Sequence, residues 1–178
     1  MSELGSTVKK SKKQSPSLKA RALRLLSMRE YSRKGLAAKL EESAARMLKL
    51  QTAAEDSEVL EPVIPLTAQI EAVLDDFEAR GWLSDQRFAE ALVRRRSERF
   101  GTRKIQDELA QAGVDSAKTV ALLRNLKETE YQRAHDLWLR KFGALAIEQK
   151  ERARQYRFLA SKGFSSDVVS KVVAGRPD

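Results

Sequence analysis

Apolar residues recur at helical spacing along nearly the whole chain from Leu18 onward. After Ser32, for example, Leu36 and Leu40 lie one helical turn apart, and Ser32 is a residue type that commonly caps a helix. The prolines fall outside these helical stretches, and no segment of useful length shows the alternation of apolar and polar residues typical of a strand. The pattern predicts an all-α protein of nine helices.

Three junctions of one design separate several of these helices. Glycine readily adopts the left-handed conformation that ends a helix, and Ser or Asp caps the helix that follows. We expect the bulky apolar residue between them to hold the turn against the core. The repetition predicts an array of small helical units. The junctions are Arg80-Gly81-Trp82-Leu83-Ser84-Asp85, Ala112-Gly113-Val114-Asp115-Ser116 and Lys162-Gly163-Phe164-Ser165-Ser166-Asp167.

Two acidic residues at these junctions are expected to begin helices. Asp85 is expected to cap the helix that carries Phe88 and Leu92. Asp115 is expected to start another helix, with Val120 on its buried face.

The spacing of the apolar positions also divides the chain into repeats. Tyr31 and Leu36 recur as Phe100 and Ile105 at a constant offset of 69 residues. We therefore predict three tandem three-helix units of helix-turn-helix-like plan that form an elongated, curved array. Units of this size are marginally stable alone, so neighbours should share buried surface. The predicted units are residues 18–84, with an acidic, proline-containing loop at about 51–66, then 85–127 and 128–178.

The first 17 residues are rich in Ser and Lys and contain almost nothing apolar. They predict a disordered basic tail, which is either a solvated leader or an arm that grips phosphates. No apolar run approaches the ~18 residues of a membrane helix, and the N-terminus lacks the apolar core of a signal peptide. We expect no membrane segment and a cytoplasmic location.

Charge narrows the class of partner. The 178 residues include 34 Lys and Arg against 25 Asp and Glu, for a net charge of +9. Such an excess favours a polyanionic partner, either DNA, RNA or a protein assembled on nucleic acid. Cysteine is absent, which excludes disulfides, thiol nucleophiles and cysteine-ligated zinc.

Basic residues cluster at one place in each unit. Cations near a helix C-terminus are stabilised by roughly 0.3–1 kcal/mol each, so part of the clustering has a structural explanation. The density in the second unit exceeds what one helix end can offset, and this favours a surface that meets an anionic partner. The candidate filament- or nucleic-acid-binding residues are Arg33, Lys34 and Lys39 in the first unit, Arg94, Arg95, Arg96, Arg99, Arg103 and Lys104 in the second, and Arg140, Lys141, Arg154 and Arg157 in the third.

Few residues could support catalysis. The only histidine, His135, lies on the same helix face as Tyr131 and Trp138, which favours a structural role. The carboxylate pair Asp75-Asp76 fits a solvated helix surface better than a metal site, and no phosphate-binding loop or metal-ligand spacing occurs. We predict a protein that is not an enzyme, with no catalytic residues, cofactor or metal.

Four motifs follow one another over roughly residues 18–174. They are Tyr31-Ser32-Arg33 with Leu36 and Lys39-Leu40, Gly81-Trp82-Leu83-Ser84-Asp85 with Arg87-Phe88-Ala89, Gly101 with Arg103, Ile105 and Glu108-Leu109, and Arg157-Phe158-Leu159 with Lys162-Gly163-Phe164. In their order and spacing, these motifs resemble the RecX family. At three positions the family often has another residue: an acid at Gly35, Tyr at Trp82 and Asp at Ser84. The first unit also lacks the short basic-Gly-apolar junction that the family usually has between its second and third helices.

The resemblance implies a monomeric, non-enzymatic regulator in DNA repair, recombination and the SOS response. Its partner would be the RecA filament on single-stranded DNA, whose recombinase, ATPase and co-protease activities it would inhibit or modulate, with weak direct binding to DNA. The charge and helix spacing leave open an alternative, a helical module that binds DNA or RNA directly and without sequence preference.

Overall fold

The computed structural model describes residues 16–52 and 64–176, with side chains for all of these except residues 50–52. The predicted tail lies almost wholly outside these ranges, as does most of the predicted loop at 51–66. Within them the chain is helical and contains no strand, which confirms the all-α prediction. The described residues form nine α-helices: α1 (Leu18–Met28), α2 (Arg33–Thr52), α3 (Leu66–Ala79), α4 (Asp85–Arg96), α5 (Thr102–Gln111), α6 (Val120–Glu128), α7 (Glu130–Phe142), α8 (Gln149–Ser161) and α9 (Ser166–Val173).

Consecutive groups of three helices each enclose a small hydrophobic core. Helices α1–α3 surround Leu36, Leu74 and Phe77. Such a core depends on few side chains, so truncating a large one such as Phe77 to alanine would cost roughly 3–5 kcal/mol. The other two clusters contain Ala89, Leu92, Ile105, Leu109 and Leu126 in α4–α6, and Ala134, Trp138, Leu159, Val169 and Val172 in α7–α9.

The glycine junctions have the predicted backbone. Gly81, Gly113 and Gly163 have φ values of 69°, 75° and 83°, the left-handed region that ends helices. At the first junction, however, the buried apolar residue is Leu83, which is 2% exposed, whereas Trp82 is 45% exposed. Trp82 instead lies against the edge of the core.

Capping is as predicted at some helices and different at others. The Ser32 hydroxyl accepts a hydrogen bond from the Gly35 amide at 3.0 Å, which confirms it as the cap of α2. Ser84, not Asp85, caps α4 by accepting from the Arg87 amide. Ser165 makes no side-chain cap bond to α9.

The helix expected to start at Asp115 begins later. Asp115 accepts a hydrogen bond from the Ala117 amide and caps a short 3₁₀ turn at Ser116–Thr119, after which α6 starts at Val120. The tighter turn rotates the following residues, so Val120 is 64% exposed rather than buried. Leu126 supplies the buried contact of α6.

Neighbouring groups meet at two joints of the same design. At the first joint, where α2 begins, the Asp85 carboxylate accepts a hydrogen bond from the Arg33 amide at 2.8 Å. At the second joint, where α5 begins, the Glu130 carboxylate accepts from the Thr102 amide at 2.8 Å. In each case the acid is the first residue of the next group's first helix. Asp85 thus satisfies an amide of another helix, which explains why it does not cap its own.

The glycine junctions also take part in the joints. The Ser32 hydroxyl donates to the carbonyl of Ala112, directly before Gly113, at 2.8 Å. The Gly101 amide donates to the carbonyl of Lys162, directly before Gly163, at 3.0 Å. The turn that ends the second helix of one group therefore also contacts the start of the second helix of the preceding group.

Arg133 adds polar contacts at the second joint. Its guanidinium donates to the carbonyls of Ser97, Phe100 and Leu126 at 2.7–2.8 Å. These carbonyls lie at or just beyond the C-terminal ends of α4 and α6. The last carbonyls of a helix have no partner within the helix and are free to accept hydrogen bonds. Burial lowers the pKa of Arg133, opposed by the nearby charge of Glu130.

Candidate filament- or nucleic-acid-binding surface

Arg33 is partly exposed and is held against α3 by an ion-pair network. Its guanidinium binds Glu71, Asp75 at 2.7 Å and Glu78 at 2.6 Å, all on α3. Burial acts to lower its pKa, but the hydrogen bonds to Asp75, Glu71 and Glu78 outweigh this effect and raise the pKa. Arg33 therefore joins α2 to α3. Its assignment to the binding surface stays a prediction, and the three carboxylates would compete with any external anion for its charge.

Three other predicted cations are paired with carboxylates. Lys39 lies 2.7 Å from Glu42. Arg154 lies 3.3 Å from Glu151 on the same helix. These two pairs are exposed, and such pairs contribute little to stability and compete weakly with an external anion. The third pair joins Arg96 to Glu108 at 2.9 Å.

The remaining predicted cations are exposed and have no carboxylate partner among the residues that the structure describes. Two of them donate only to backbone carbonyls, Lys34 to Gln111 and Arg140 to Glu98, both at 3.1 Å. We call all of these exposed cations without a carboxylate partner the open cations. They are Lys34, Arg94, Arg95, Arg99, Arg103, Lys104, Arg140, Lys141 and Arg157.

Two grooves follow the joints and contain several of the open cations. The first groove, of about 450 Å³, lies beside Tyr31 and Phe88 at the first joint. Its basic lining residues are Arg29, Lys34, Lys39 and Arg95.

The second groove, of about 510 Å³, lies at the second joint. Its apolar side chains are Phe100, Leu137 and Phe158. Its charged lining residues are Arg96, Arg99, Arg140 and Lys162, together with one acid, Glu98. Lys162 is absent from the sequence-predicted set, although its position directly before a junction glycine marks it as part of a joint.

The candidate catalytic residues have structural contacts. His135 stacks on Tyr131, with ring centroids 6.1 Å apart, and lies 5.6 Å from Trp138. The indole of Trp138 is buried and donates to Gln155 at 2.9 Å, as expected for a core residue. Phe164 is also buried.

Asp75 and Asp76, the carboxylate pair on α3, both form ion pairs with basic side chains. Asp75 binds Arg33. Asp76 binds Arg80 at 2.8 Å and Lys19 at 3.0 Å, and these hydrogen bonds, that of Arg80 first, lower the pKa of Asp76. No group of three potential metal ligands occurs within residues 16–52 and 64–176.

Comparison with known proteins identifies the family. Residues 84–118 match the second three-helix domain of RecX, and residues 128–173 match the third. The regulatory protein RecX of Leptothrix cholodnii is 44% identical over 157 residues, which is 88% of this chain and 87% of that protein. The chain belongs to the RecX family. The RecX regulatory protein of Chromobacterium violaceum is 38% identical over 162 residues, 91% of this chain and 92% of its own.

Solved RecX structures share the fold. The crystal structure of RecX from Lactobacillus salivarius superposes with a TM-score of 0.62 at 19% identity, over 89% of this chain and 93% of that one. A second RecX crystal structure gives the same TM-score at 22% identity, over 87% of this chain and 70% of that one. In this chain, none of the helices described is both long and apolar enough to cross a membrane.

Proposed function

We propose that this protein binds the RecA filament on single-stranded DNA and inhibits or modulates its recombinase, ATPase and co-protease activities, without catalysis of its own. The proposal places it in DNA repair, recombination and the SOS response, as a cytoplasmic monomer. Membership of a family of regulatory proteins supports a regulatory role. The observation that carries the surface is the set of open cations, which no carboxylate of the described chain neutralises.

The tandem arrangement supports a repeating partner. The two joints place equivalent helix ends, each with its own groove, at successive positions of the chain. A filament or a polymer of nucleic acid presents the same anionic features at regular intervals, and several weak contacts to it add up to a strong attachment. The boundaries 18–84, 85–127 and 128–178 are part of this proposal.

The direct test is the ATPase activity of RecA on single-stranded DNA, with and without the full-length protein. Wild-type protein should lower the ATPase rate. The triple variant Arg94→Ala/Arg95→Ala/Arg103→Ala removes three open cations that make no ion pair with any described residue. It should raise the concentration required for inhibition by about tenfold or more. An inhibition curve unchanged by these substitutions would remove α4 and α5 from the binding surface.

A matched variant controls for net charge. Arg24, Lys118 and Lys127 are exposed cations outside the proposed surface and form no ion pair within the described residues. Arg24→Ala/Lys118→Ala/Lys127→Ala therefore lowers the charge by the same amount. This control should inhibit RecA nearly as well as wild type.

The alternative function is direct, sequence-independent binding to DNA or RNA. The net charge of +9 favours it. Counterion release makes such binding fall steeply as salt rises. We expect modest, salt-sensitive affinity for bare DNA and tighter binding to the RecA filament. Equal affinities for bare DNA and filament would favour the alternative.

A further inference from the structure

We infer that the first joint is a hinge about which α1–α3 swing as one body, whereas the second joint holds α4–α9 together as a rigid body. The two joints share one plan, so contacts of one joint can be compared with their counterparts in the other. These counterparts differ in backbone approach, burial and covalent connection. The inference concerns a motion of the chain alone and does not depend on the proposed function.

The two joints differ first in how closely their backbones approach. By the offset of 69 residues, Ser32 at the first joint corresponds to Gly101 at the second. The Ser32 hydroxyl donates to the Ala112 carbonyl at 2.8 Å, so a side chain lies between the two backbones. At the second joint the Gly101 amide itself donates to the Lys162 carbonyl at 3.0 Å. Among the described residues, no backbone-to-backbone hydrogen bond of this kind crosses the first joint.

The junction glycines show the same difference. A Cβ atom added to Gly113, at the first joint, would have side-chain atoms of Lys34 as its three nearest neighbours, the first at 2.9 Å. A Cβ atom added to Gly163, at the second joint, would lie 2.9 Å from the backbone nitrogen of Lys104. The end of a lysine side chain can move while two helices shift, but backbone atoms within a helix cannot. The first joint is therefore the more easily deformed.

The acids of the two joints differ in burial and in their neighbours. Glu130 is 5% exposed, whereas Asp85 is only half-buried. Three residues after Glu130, Arg133 donates to three carbonyls of the preceding group. The residue three positions after Asp85 is Phe88, whose side chain has no donor. The second joint therefore has a set of hydrogen bonds that the first joint lacks.

The first joint has exposed polar contacts instead. Glu30 and Arg87 form an ion pair at 3.0 Å between the first two groups, and both side chains are partly exposed. The Lys34 ammonium donates to the Gln111 carbonyl at 3.1 Å on the protein surface. Water and salt weaken such contacts, which contribute little to stability. They can break and form again as the groups move.

The covalent connections differ as well. Only Thr129 separates α6 from α7, and its carbonyl accepts from the Arg133 amide while its own amide donates back into α6. Helical hydrogen bonding therefore continues across this connection. The connection between α3 and α4 is longer, residues 80–84. Leu83 belongs to the core of the first group and Ser84 caps α4, so the pivot lies where these two residues meet.

The hinge would change the shape of one groove and not of the other. The first groove lies between Tyr31, in the group that swings, and Phe88, in the rigid body. Its volume, about 450 Å³ in the conformation described, therefore depends on the hinge angle. The second groove is lined entirely by residues of α4–α9 and the connections between them, so it keeps its shape.

Hydrogen exchange of the full-length wild-type protein tests the hinge with a matched pair of amides. The amides of Arg33 and Thr102 occupy equivalent positions, and each donates to a carboxylate of the next group. After correction for intrinsic rates, the Arg33 amide should exchange at least about 100-fold faster, because the first joint opens while the groups stay folded. Equal protection of the two amides would overturn the inference. Exchange of the Leu40 amide, inside α2, as fast as that of Arg33 would indicate unfolding of the group and would also overturn it.

Distances between spin labels measure the swing directly. The chain has no cysteine, so Glu41→Cys, Gln106→Cys and Gln149→Cys, all at exposed positions, introduce the only labelling sites. Labels at 41 and 106 span the first joint, and labels at 106 and 149 span the second. Double electron–electron resonance should give a distance distribution about twice as wide for the first pair. The control pair Gln106→Cys/Ala121→Cys lies within one group and should match the width of the second pair. Equal widths across both joints, or a greater width across the second, would refute the hinge.

Discussion

Cations that look alike in the sequence have different tasks in the structure. Arg33 and Arg103 both lie in the first turn of the second helix of their group. Arg33 is surrounded by carboxylates of α3, whereas Arg103 is exposed and has no carboxylate partner among the described residues. The difference arises because α3 contributes Glu71, Asp75 and Glu78 to one face, a long-range contact that residue type and local spacing do not reveal.

Removal of Arg33 should therefore affect stability. In Arg33→Met the three carboxylates would face one another without a cation, and the free energy of unfolding should fall by about 1–2 kcal/mol, a value between those of exposed and buried pairs. Urea denaturation followed by circular dichroism measures this loss. The control Arg103→Met should stay within about 0.5 kcal/mol of wild type. Equal stability of both variants would show that the network contributes nothing.

At the scale of elements, the joints depend on acids that cap a helix of the neighbouring group. The Glu130 side chain is 5% exposed and accepts from the Thr102 amide, which is itself buried. A buried amide without a partner costs about 1–3 kcal/mol. The same geometry at Asp85 and Arg33 indicates that this is a general feature of the array rather than an accident of one contact.

Glu130→Ala should destabilise the second joint. It leaves the Thr102 amide unpaired and creates a cavity, so we expect the free energy of unfolding to fall by about 2 kcal/mol. Glu130→Gln keeps an acceptor oxygen and should lose less. Hydrogen exchange measured by NMR should show faster exchange of the Thr102 amide in the alanine variant. Unchanged protection of that amide would contradict the proposed role of the carboxylate.

The helices and their junctions were predictable because they depend on local physics. The spacing of Leu36 and Ile105 and the positive φ of the junction glycines follow from residues a few positions apart in sequence. The capping partner of Asp85 could not be predicted, because it belongs to a helix that the chain brings close only after folding. Lys162 was missed for the same reason, since its ring contacts with Phe100 and Phe158 join different helix groups.

At the scale of the whole molecule, coupling between groups depends on how closely their backbones approach. At the second joint, a Cβ atom added to Gly101 would lie 2.2 Å from the carbonyl oxygen of Gly163 and 2.3 Å from the amide nitrogen of Phe164. These are backbone atoms, which cannot move aside as the end of a long side chain can. Gly101 has φ −72° and ψ 167°, a conformation that alanine adopts without strain. Alanine at this position therefore acts only on the contact between the groups.

We expect Gly101→Ala to separate the unfolding of α7–α9 from that of the helices before them. In a linear array each group is stabilised by its neighbours, so a weakened joint lowers the stability of the terminal group first. Calorimetry should resolve a second, lower transition, and hydrogen exchange should accelerate throughout α7–α9. The control is Gly35→Ala, which lies inside the first group. A Cβ atom added there would meet only side-chain atoms, at 3.1 Å or more. The higher helix propensity of alanine should stabilise this variant by up to about 1 kcal/mol. A single transition for Gly101→Ala, with wild-type protection in α7–α9, would mean that the close approach at the second joint does not couple the groups.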